Sequence, residues 1–316
     1  MAAAIAWLVL GLVLLGLGGD SIIKAASGLA QRWGASSFMA GLLLVAFGTS
    51  LPELAVNVRA FMVGAQELAL GNAVGSNIAN VGLTLALAAL AAPLLLGMRL
   101  LAPLLVVLVV ASLALIGFGL DGAIGRIEGL AMLAGFAGVL AFLVRRARRE
   151  SDGVQAAVGG YAVTRTGLGL NLQRLAIALL LLGFGARWVV DSAVALGGIW
   201  GWSPLLMGLL PVAIGTALPE AAAAIAAARR GQGDMVAGHV IGSSVFNLLV
   251  VVGGMAALRP LPLPASFVRL ELPAAIVLAL MLYPMLRGDL RVSRGEGAVL
   301  LAAFCGWIGL ELALAA

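Results

Sequence analysis

Long apolar runs alternate along this chain with short polar interruptions. An α-helix needs about 20 consecutive apolar residues to cross the core of a bilayer. Runs of that order recur at 2–19, 38–62, 67–91, 100–118, 128–145, 168–192, 204–228, 234–257, 267–286 and 297–314. They predict an all-α polytopic membrane protein with about ten transmembrane helices. The first run lacks a basic leader and passes directly into "GLGGDSIIKAASG". It therefore reads as a span and not as a cleaved signal peptide.

Two runs contain residues that a plain membrane helix avoids. "VAFGTSLPEL" (45–54) places Gly48, Thr49, Ser50, Pro52 and Glu53 inside the second run, and "VAIGTALPEA" (212–221) does nearly the same in the seventh. Sliding the chain against itself by 167 residues superposes them. "GLLLVAFGTSLPE" (41–53) and "GLLPVAIGTALPE" (208–220) agree at 10 of 13 positions. The same shift aligns "GNAVGSNIAN" (71–80) with "GHVIGSSVFN" (238–247), and pairs Gly16, Gly18, Trp33 and Gly34 with Gly183, Gly185, Trp200 and Gly201. The chain is a duplication: a first repeat over 1–150, a linker over 151–166 and a second repeat over 167–316. Each repeat has about five spans, an odd number, so the second copy runs through the membrane in the opposite sense. Inverted repeats with interrupted helices in matching places point to a site near the membrane midplane.

The interruptions have a chemical logic. Pro52 and Pro219 carry no amide hydrogen for the carbonyls of Gly48 and Gly215, four residues back. Thr49 and Ser50 could repair the helix, but Glu53 and Glu220 make a simple kink an incomplete explanation. A carboxylate at mid-bilayer costs roughly 3 kcal/mol or more, so two of them need a cation, a proton or each other. Hard cations take several oxygen ligands. Glu53, Glu220, Thr49, Thr216, the freed carbonyls, and the amides of Asn80 and Asn247 supply oxygens. Ser76 lies four residues before Asn80, and Ser243 four before Asn247, one helical turn apart in each repeat. The paired motifs contain no thiolate or imidazole pair, which argues against copper or zinc. Protonated structural acids, packed serines and helix-bridging asparagines are the plainer alternatives.

Composition agrees with a membrane protein: the chain is 63% hydrophobic and 10% charged, with a mean hydropathy of +1.14. Its net charge of +5 points to topology and not to nucleic acid. With the N-terminus outside, the odd-numbered loops hold 14 of the 19 Lys and Arg residues. The positive-inside rule then puts those loops, including the arginine-rich 145–165 segment, in the cytoplasm and both termini outside. Cys305 is the sole cysteine, so an intrachain disulfide is excluded. There is no HExxH, GxSxG or Walker A segment, and an intramembrane enzyme using the two glutamates would lack a nucleophile–base pair or a His cluster. No cofactor, nucleic acid or obligate protein partner is expected; the bilayer and the cations are the partners.

The paired motifs "GTSLPE" with "GNAVGSNIAN" and "GTALPE" with "GHVIGSSVFN" resemble the alpha-repeats of the sodium/calcium exchanger family. The resemblance implies a ten-helix antiporter of a prokaryotic inner membrane, exchanging Ca2+ for Na+ at a site between the second, third, seventh and eighth helices. Carried over by position, Glu53, Glu220, Thr49 and Thr216 would bind Ca2+. Ser50, Ser76, Ser243 and the carbonyls of Ala46 and Ala213 would join the acids for Na+, with Asn80 and Asn247 at the centre. This sequence departs from the pattern in three places. Ala217 lacks the hydroxyl of Ser50, Asn247 stands where some members carry aspartate, and His239 replaces the asparagine seen at Asn72. The first change, together with the glutamates' capacity to hold protons, keeps a Ca2+/H+ exchanger as the alternative. His239 is a packed polar residue or a proton-linked or gating one, since imidazole titrates near neutrality.

Overall fold

The computed structural model describes residues 1–147 and 149–315, without the side chains of 45, 46, 147 and 157 or that of 161; Arg148 of the arginine cluster lies outside the described residues. Among these residues nine helices are long and apolar enough to cross a membrane, and one bent pair makes a tenth span. In chain order they are α1 (Ala2–Arg32), the bent pair α2 (Ser37–Phe47) and α3 (Leu51–Met62), α4 (Gln66–Ala91), α5 (Leu101–Asp121) and α6 (Arg126–Arg146). After the linker helix α7 (Asp152–Ala162) come α8 (Leu168–Trp200), α9 (Pro204–Arg229), α10 (Gly233–Leu258), α11 (Phe267–Arg287) and α12 (Arg294–Ala315). The chain is an all-helical multi-pass membrane protein.

The first span runs well past the expected end at residue 19. Helix α1 continues for 31 residues, about 46 Å at 1.5 Å per residue. The polar residues that suggested an end form its protruding part. Lys24 and Asp20 make an i,i+4 ion pair of 2.6 Å, and Ser27 and Gln31 both donate to the Ala162 carbonyl. Helix α8 is likewise longer than the sequence pattern suggested, ending at Gly201 in the left-handed conformation (φ 71°). The two long helices lie against each other with backbones in contact. A Cβ at Gly11 would come 2.9 Å from the Gly185 carbonyl oxygen, and one at Gly185 would come 2.9 Å from that of Gly11. Leu182 rests against Gly18 as Leu15 rests against Gly185, two contacts related by the 167-residue shift. Their other faces, with Trp7, Val13 and Leu17 on one and Ile177, Leu180 and Phe184 on the other, are exposed and suit lipid.

The same symmetry appears in two short antiparallel ribbons. Strand β1 (Leu94–Leu95) pairs with β4 (Arg291–Val292), and β2 (Ala123–Ile124) pairs with β3 (Leu261–Pro262). Leu94 and Leu261 are separated by the same 167 residues. The first ribbon joins the loops after α4 and α11. The second joins the loops after α5 and α10. One span separates the successive loops, so the ribbons lie at opposite ends of the bundle, as inverted repeats require.

Helices α4 and α10 form the centre. Of the apolar window in each, 83% is buried, against 22–50% in the other seven helices that are long and apolar enough to span. Both loosen into a wide, π-type turn at matching positions, Asn80–Leu85 and Asn247–Val252, a feature often found at functional sites. The two proline-containing spans differ from one another. The first is broken by a tight 3-10 turn at Gly48–Ser50, and its pieces bend by 43°. The second has no break at Gly215. It passes helically through Pro219, and its irregular turn falls earlier, at Gly208–Val212. Pro211, absent from the first repeat, removes a hydrogen bond there and moves the interruption upstream.

The linker is an ordered helix. Ser151 caps α7, accepting from the Val154 N–H at 3.4 Å, and α7 packs on α2, where Gly41 meets Val158 and Gly159 meets Phe38. Next to it, carboxylates hold the turn leading into α5. Asp234 accepts from the N–H groups of Gly97 (2.7 Å) and Met98 (2.8 Å), and Glu150 from those of Arg99 (3.1 Å) and Leu100 (3.0 Å). Capping by a buried carboxylate stabilises by about 1–2 kcal/mol. Glu150→Ala is therefore expected to lower the thermal unfolding midpoint in detergent, with Glu150→Gln in between.

Candidate cation site

The two GTxLPE segments meet at the centre. Glu53 lies in the first turn of α3, directly after the Gly48–Ser50 break, and is 1% exposed. Glu220 lies within α9, its side chain 9% exposed. Thr49 and Pro52 of the first motif line one cavity with Thr216, Pro219 and Glu220 of the second, which makes the two acids near neighbours. Glu53 Oε2 and both oxygens of Glu220 have no hydrogen-bond donor among the described residues. Two carboxyl groups buried in one pocket need a cation or a proton for compensation.

The remaining predicted residues surround this pair unequally. The Ser50 hydroxyl donates to Ser243 Oγ at 2.6 Å. Thr49 Oγ1 is 3.2 Å from Ser243 Oγ and 2.6 Å from His239 Nδ1, so it binds across to the second repeat. Thr216, its counterpart, turns back onto its own helix and donates to the carbonyls of Val212 and Ala213, both at 3.1 Å. The Ala213 carbonyl is thus engaged by a hydroxyl. Ala46 belongs to α2, and its side chain is outside the described residues. Ser76, Asn80 and Asn247 are fully buried. Ser76 Oγ, both polar atoms of Asn80, and Asn247 Oδ1 have no hydrogen-bond partner among the described residues. Ala217 is buried too and, as the sequence indicated, brings no hydroxyl.

Four residues outside the predicted set, Asn57, Asn72, Asn77 and Ser244, complete the arrangement. Asn77 bridges the repeats. Its Nδ2 donates to the Ser244 carbonyl at 3.1 Å, and its Oδ1 accepts from Asn247 Nδ2 at 3.2 Å. Ser244 is the position matching Asn77 under the 167-residue shift, so this bond lies on the symmetry axis. The sequence signal is the Gly-Ser pair that immediately precedes Asn77 and Ser244 in the two repeats. Asn57 is buried and accepts from Asn72 Nδ2 at 3.1 Å; its counterpart is Ala224. Asn77→Ala removes two buried hydrogen bonds and leaves partners unsatisfied, at about 1–3 kcal/mol each. A clearly lower unfolding midpoint is expected, whereas Asn77→Gln should retain part of the loss.

A cavity of about 210 Å³ leads to the site. It is lined at its inner end by Thr49, Thr216, Glu220 and His239, and runs past Leu12 and Gly16 of α1 to Asp20 and Met235. Those last residues adjoin the end of the bundle that carries Lys24, Arg229 and Arg230. Among the described residues no three His, Cys, Asp or Glu side chains form a ready-made metal cluster. A cation here would need the hydroxyl, amide and carbonyl oxygens as well as the acids.

The model of the family described as "Sodium/calcium exchanger protein" matches residues 3–145 and 171–312, one segment in each repeat. The chain belongs to the sodium/calcium exchanger family. It is 34% identical to the inner membrane protein YrbG of Escherichia coli (strain K12), over 98% of this chain and 97% of that one. It is 28% identical to the sodium/calcium exchanger MaX1 of Methanosarcina acetivorans, over 95% of this chain and 96% of that one. Among solved structures it is similar to the sodium-calcium exchanger NCX_Mj soaked with Na+ and Sr2+, with a TM-score of 0.69 and 28% identity, covering 98% of each chain. The family is one of transporters and not of enzymes, and this chain is a cation/Ca2+ antiporter of the membrane.

Proposed function

We propose that the chain exchanges Ca2+ for Na+ by alternating access, at one site built from both repeats. Glu53 and Glu220 are the charged ligands, helped by Thr49 and Thr216. Ser50, Ser76, Ser243, the central asparagines Asn80 and Asn247, and the carbonyls of Ala46 and Ala213 complete the positions for Na+. The repeats 1–150 and 167–316 are the two moving units. The observation that carries this reading is the set of buried oxygens without partners around the acid pair. A proton needs one carboxylate oxygen. The unpartnered oxygens of Ser76, Asn80 and Asn247 are superfluous to a proton but are what a coordinated metal cation uses. Each unsatisfied buried group costs about 1–3 kcal/mol, and a bound ion offsets several at once. The cavity beside Lys24 and Arg229 supports a form open to the cytoplasm, if the positive-inside rule orients the chain.

Ca2+/H+ exchange is the second reading. It is favoured by Ala217 and by the capacity of the buried Glu53 and Glu220 to hold protons. Proteoliposomes loaded with Na+ and diluted into Na+-free medium, at equal pH on both sides, separate the two. Ca2+ uptake driven by the Na+ gradient, and little uptake under a pH gradient alone, is expected. Uptake driven by the pH gradient and indifferent to Na+ would overturn Na+ coupling.

A further inference from the structure

His239 takes part in the site in a way that its counterpart does not. In the first repeat Asn72 is held away by its bond to Asn57. The second repeat carries two changes at once, His239 for Asn72 and Ala224 for Asn57. Ala224 offers no hydrogen bond, and it lines the same cavity as His239. The imidazole spans the space between the repeats. Nδ1 lies 2.6 Å from Thr49 Oγ1, and Nε2 lies 3.3 Å from Glu220 Oε2. Despite that distance, Nε2 and Glu220 Oε2 make no hydrogen bond of acceptable geometry, and neither has another partner among the described residues. The two atoms are close without pointing at each other.

That arrangement is the one two ligands of a single ion adopt. Ligand atoms each about 2.1 Å from a small divalent cation stand about 3.0 Å apart at a right angle and about 3.4 Å apart at the tetrahedral angle. We infer that Nε2 of His239 is a direct ligand of the transported divalent ion, and that the site accepts first-row divalent cations such as Mn2+ beside Ca2+. The inference rests on reading this pocket as the cation site. A neutral imidazole ligates through one nitrogen while the other donates a hydrogen bond that sets the tautomer and ring orientation. Here Nδ1–H donates to Thr49 Oγ1, and the Thr49 hydroxyl can pass its own proton on to Ser243 Oγ. Calcium prefers oxygen throughout, whereas an imidazole nitrogen suits the transition ions. One nitrogen among several oxygens broadens selectivity toward Mn2+ without excluding Ca2+.

The test uses Mn2+ itself as the probe on the purified, detergent-solubilised full chain. Pulsed electron paramagnetic resonance of bound Mn2+ should reveal modulation from a directly coordinated nitrogen, absent in His239→Asn. Competition between Mn2+ and Ca2+, read from the free-Mn2+ signal, should shift toward Ca2+ by about tenfold or more in that variant. Bound Mn2+ without nitrogen modulation in the wild-type protein would overturn the inference, whether or not the variant folds. An unchanged Mn2+/Ca2+ ratio in a well-folded His239→Asn protein would also overturn it and leave His239 a packing residue. Nitrogen-coordinated Mn2+ in a protein that fails Na+-driven Ca2+ uptake would refute Ca2+/Na+ exchange and keep the ligand assignment. Na+-driven uptake without a nitrogen signal would do the reverse.

Discussion

Glu53→Gln and Glu220→Gln should each reduce cation exchange by about 100-fold or more. Glutamine keeps the shape of the side chain and one acceptor oxygen but removes the charge. In a buried site, losing one charged partner typically costs about 3–5 kcal/mol, which is more than two orders of magnitude at 1.4 kcal/mol per decade. The acids are also a burden on the ion-free protein, because both are buried with oxygens that accept no hydrogen bond among the described residues. Thermal unfolding in the absence of cations should therefore be unchanged or higher in the variants, while the stabilisation that Ca2+ gives the wild-type protein should vanish. A merely structural pair would behave in the opposite way, losing stability in either condition. Glu67→Gln, an exposed acid in the first turn of α4, should change neither property.

The largest expected effect on folding lies where α4 crosses α9. Gly71 and Gly208 face each other there. A Cβ on Gly71 would fall on the Leu205 carbonyl oxygen and 3.0 Å from the Leu209 nitrogen, and one on Gly208 would fall on the Leu68 carbonyl oxygen and 2.9 Å from the Asn72 nitrogen. These atoms are backbone, so they cannot rotate out of the way. Small residues at membrane helix crossings allow this close approach, and van der Waals contact between the backbones then holds the helices together. Gly71→Leu or Gly208→Leu would push apart the helices that carry Ser76, Asn80, Thr216 and Glu220. Overpacking typically costs about 1–3 kcal/mol, and more is expected with rigid backbone on both sides. Little monodisperse protein should be recovered on size exclusion, and any recovered should unfold well below the wild type. Gly183→Ala is the comparison, since nothing lies within 4 Å of a Cβ at that position. It should leave stability unchanged or slightly raised, because alanine favours helix over glycine.

These contrasts also indicate what could be read from the chain. Apolar length set the number of spans, because the bilayer imposes it. The 167-residue shift brought Glu53 and Glu220 together in advance of any geometry, since an odd number of spans per repeat forces the inversion. Length alone could not foresee that α1 continues to Arg32. Its polar end looks like a loop until Ala162 supplies a carbonyl for Ser27 and Gln31. Pro219 by itself predicts the second break at Gly215, whereas Pro211 places the irregular turn upstream at Gly208–Val212. The role of Asn77 was hidden for a different reason. Its partner is the backbone of Ser244, and a motif comparison aligns side chains without registering a carbonyl acceptor across the axis. His239 stands out in the sequence as an exception, but the room for its ring comes from Ala224, fifteen residues earlier and on another helix. Only the packed structure places both changes in one cavity.

The central claim is that Glu53 and Glu220, one from each repeat, form a single shared cation site. Equilibrium binding of radioactive Ca2+ to purified protein, in wild type and in the two Glu→Gln variants, tests it most directly. A shared site predicts one high-affinity Ca2+ per chain, displaced by Na+, and loss of that binding in each single variant. Two Ca2+ per chain, with each variant retaining one of them at unchanged affinity, would mean that the repeats bind independently and would contradict the account.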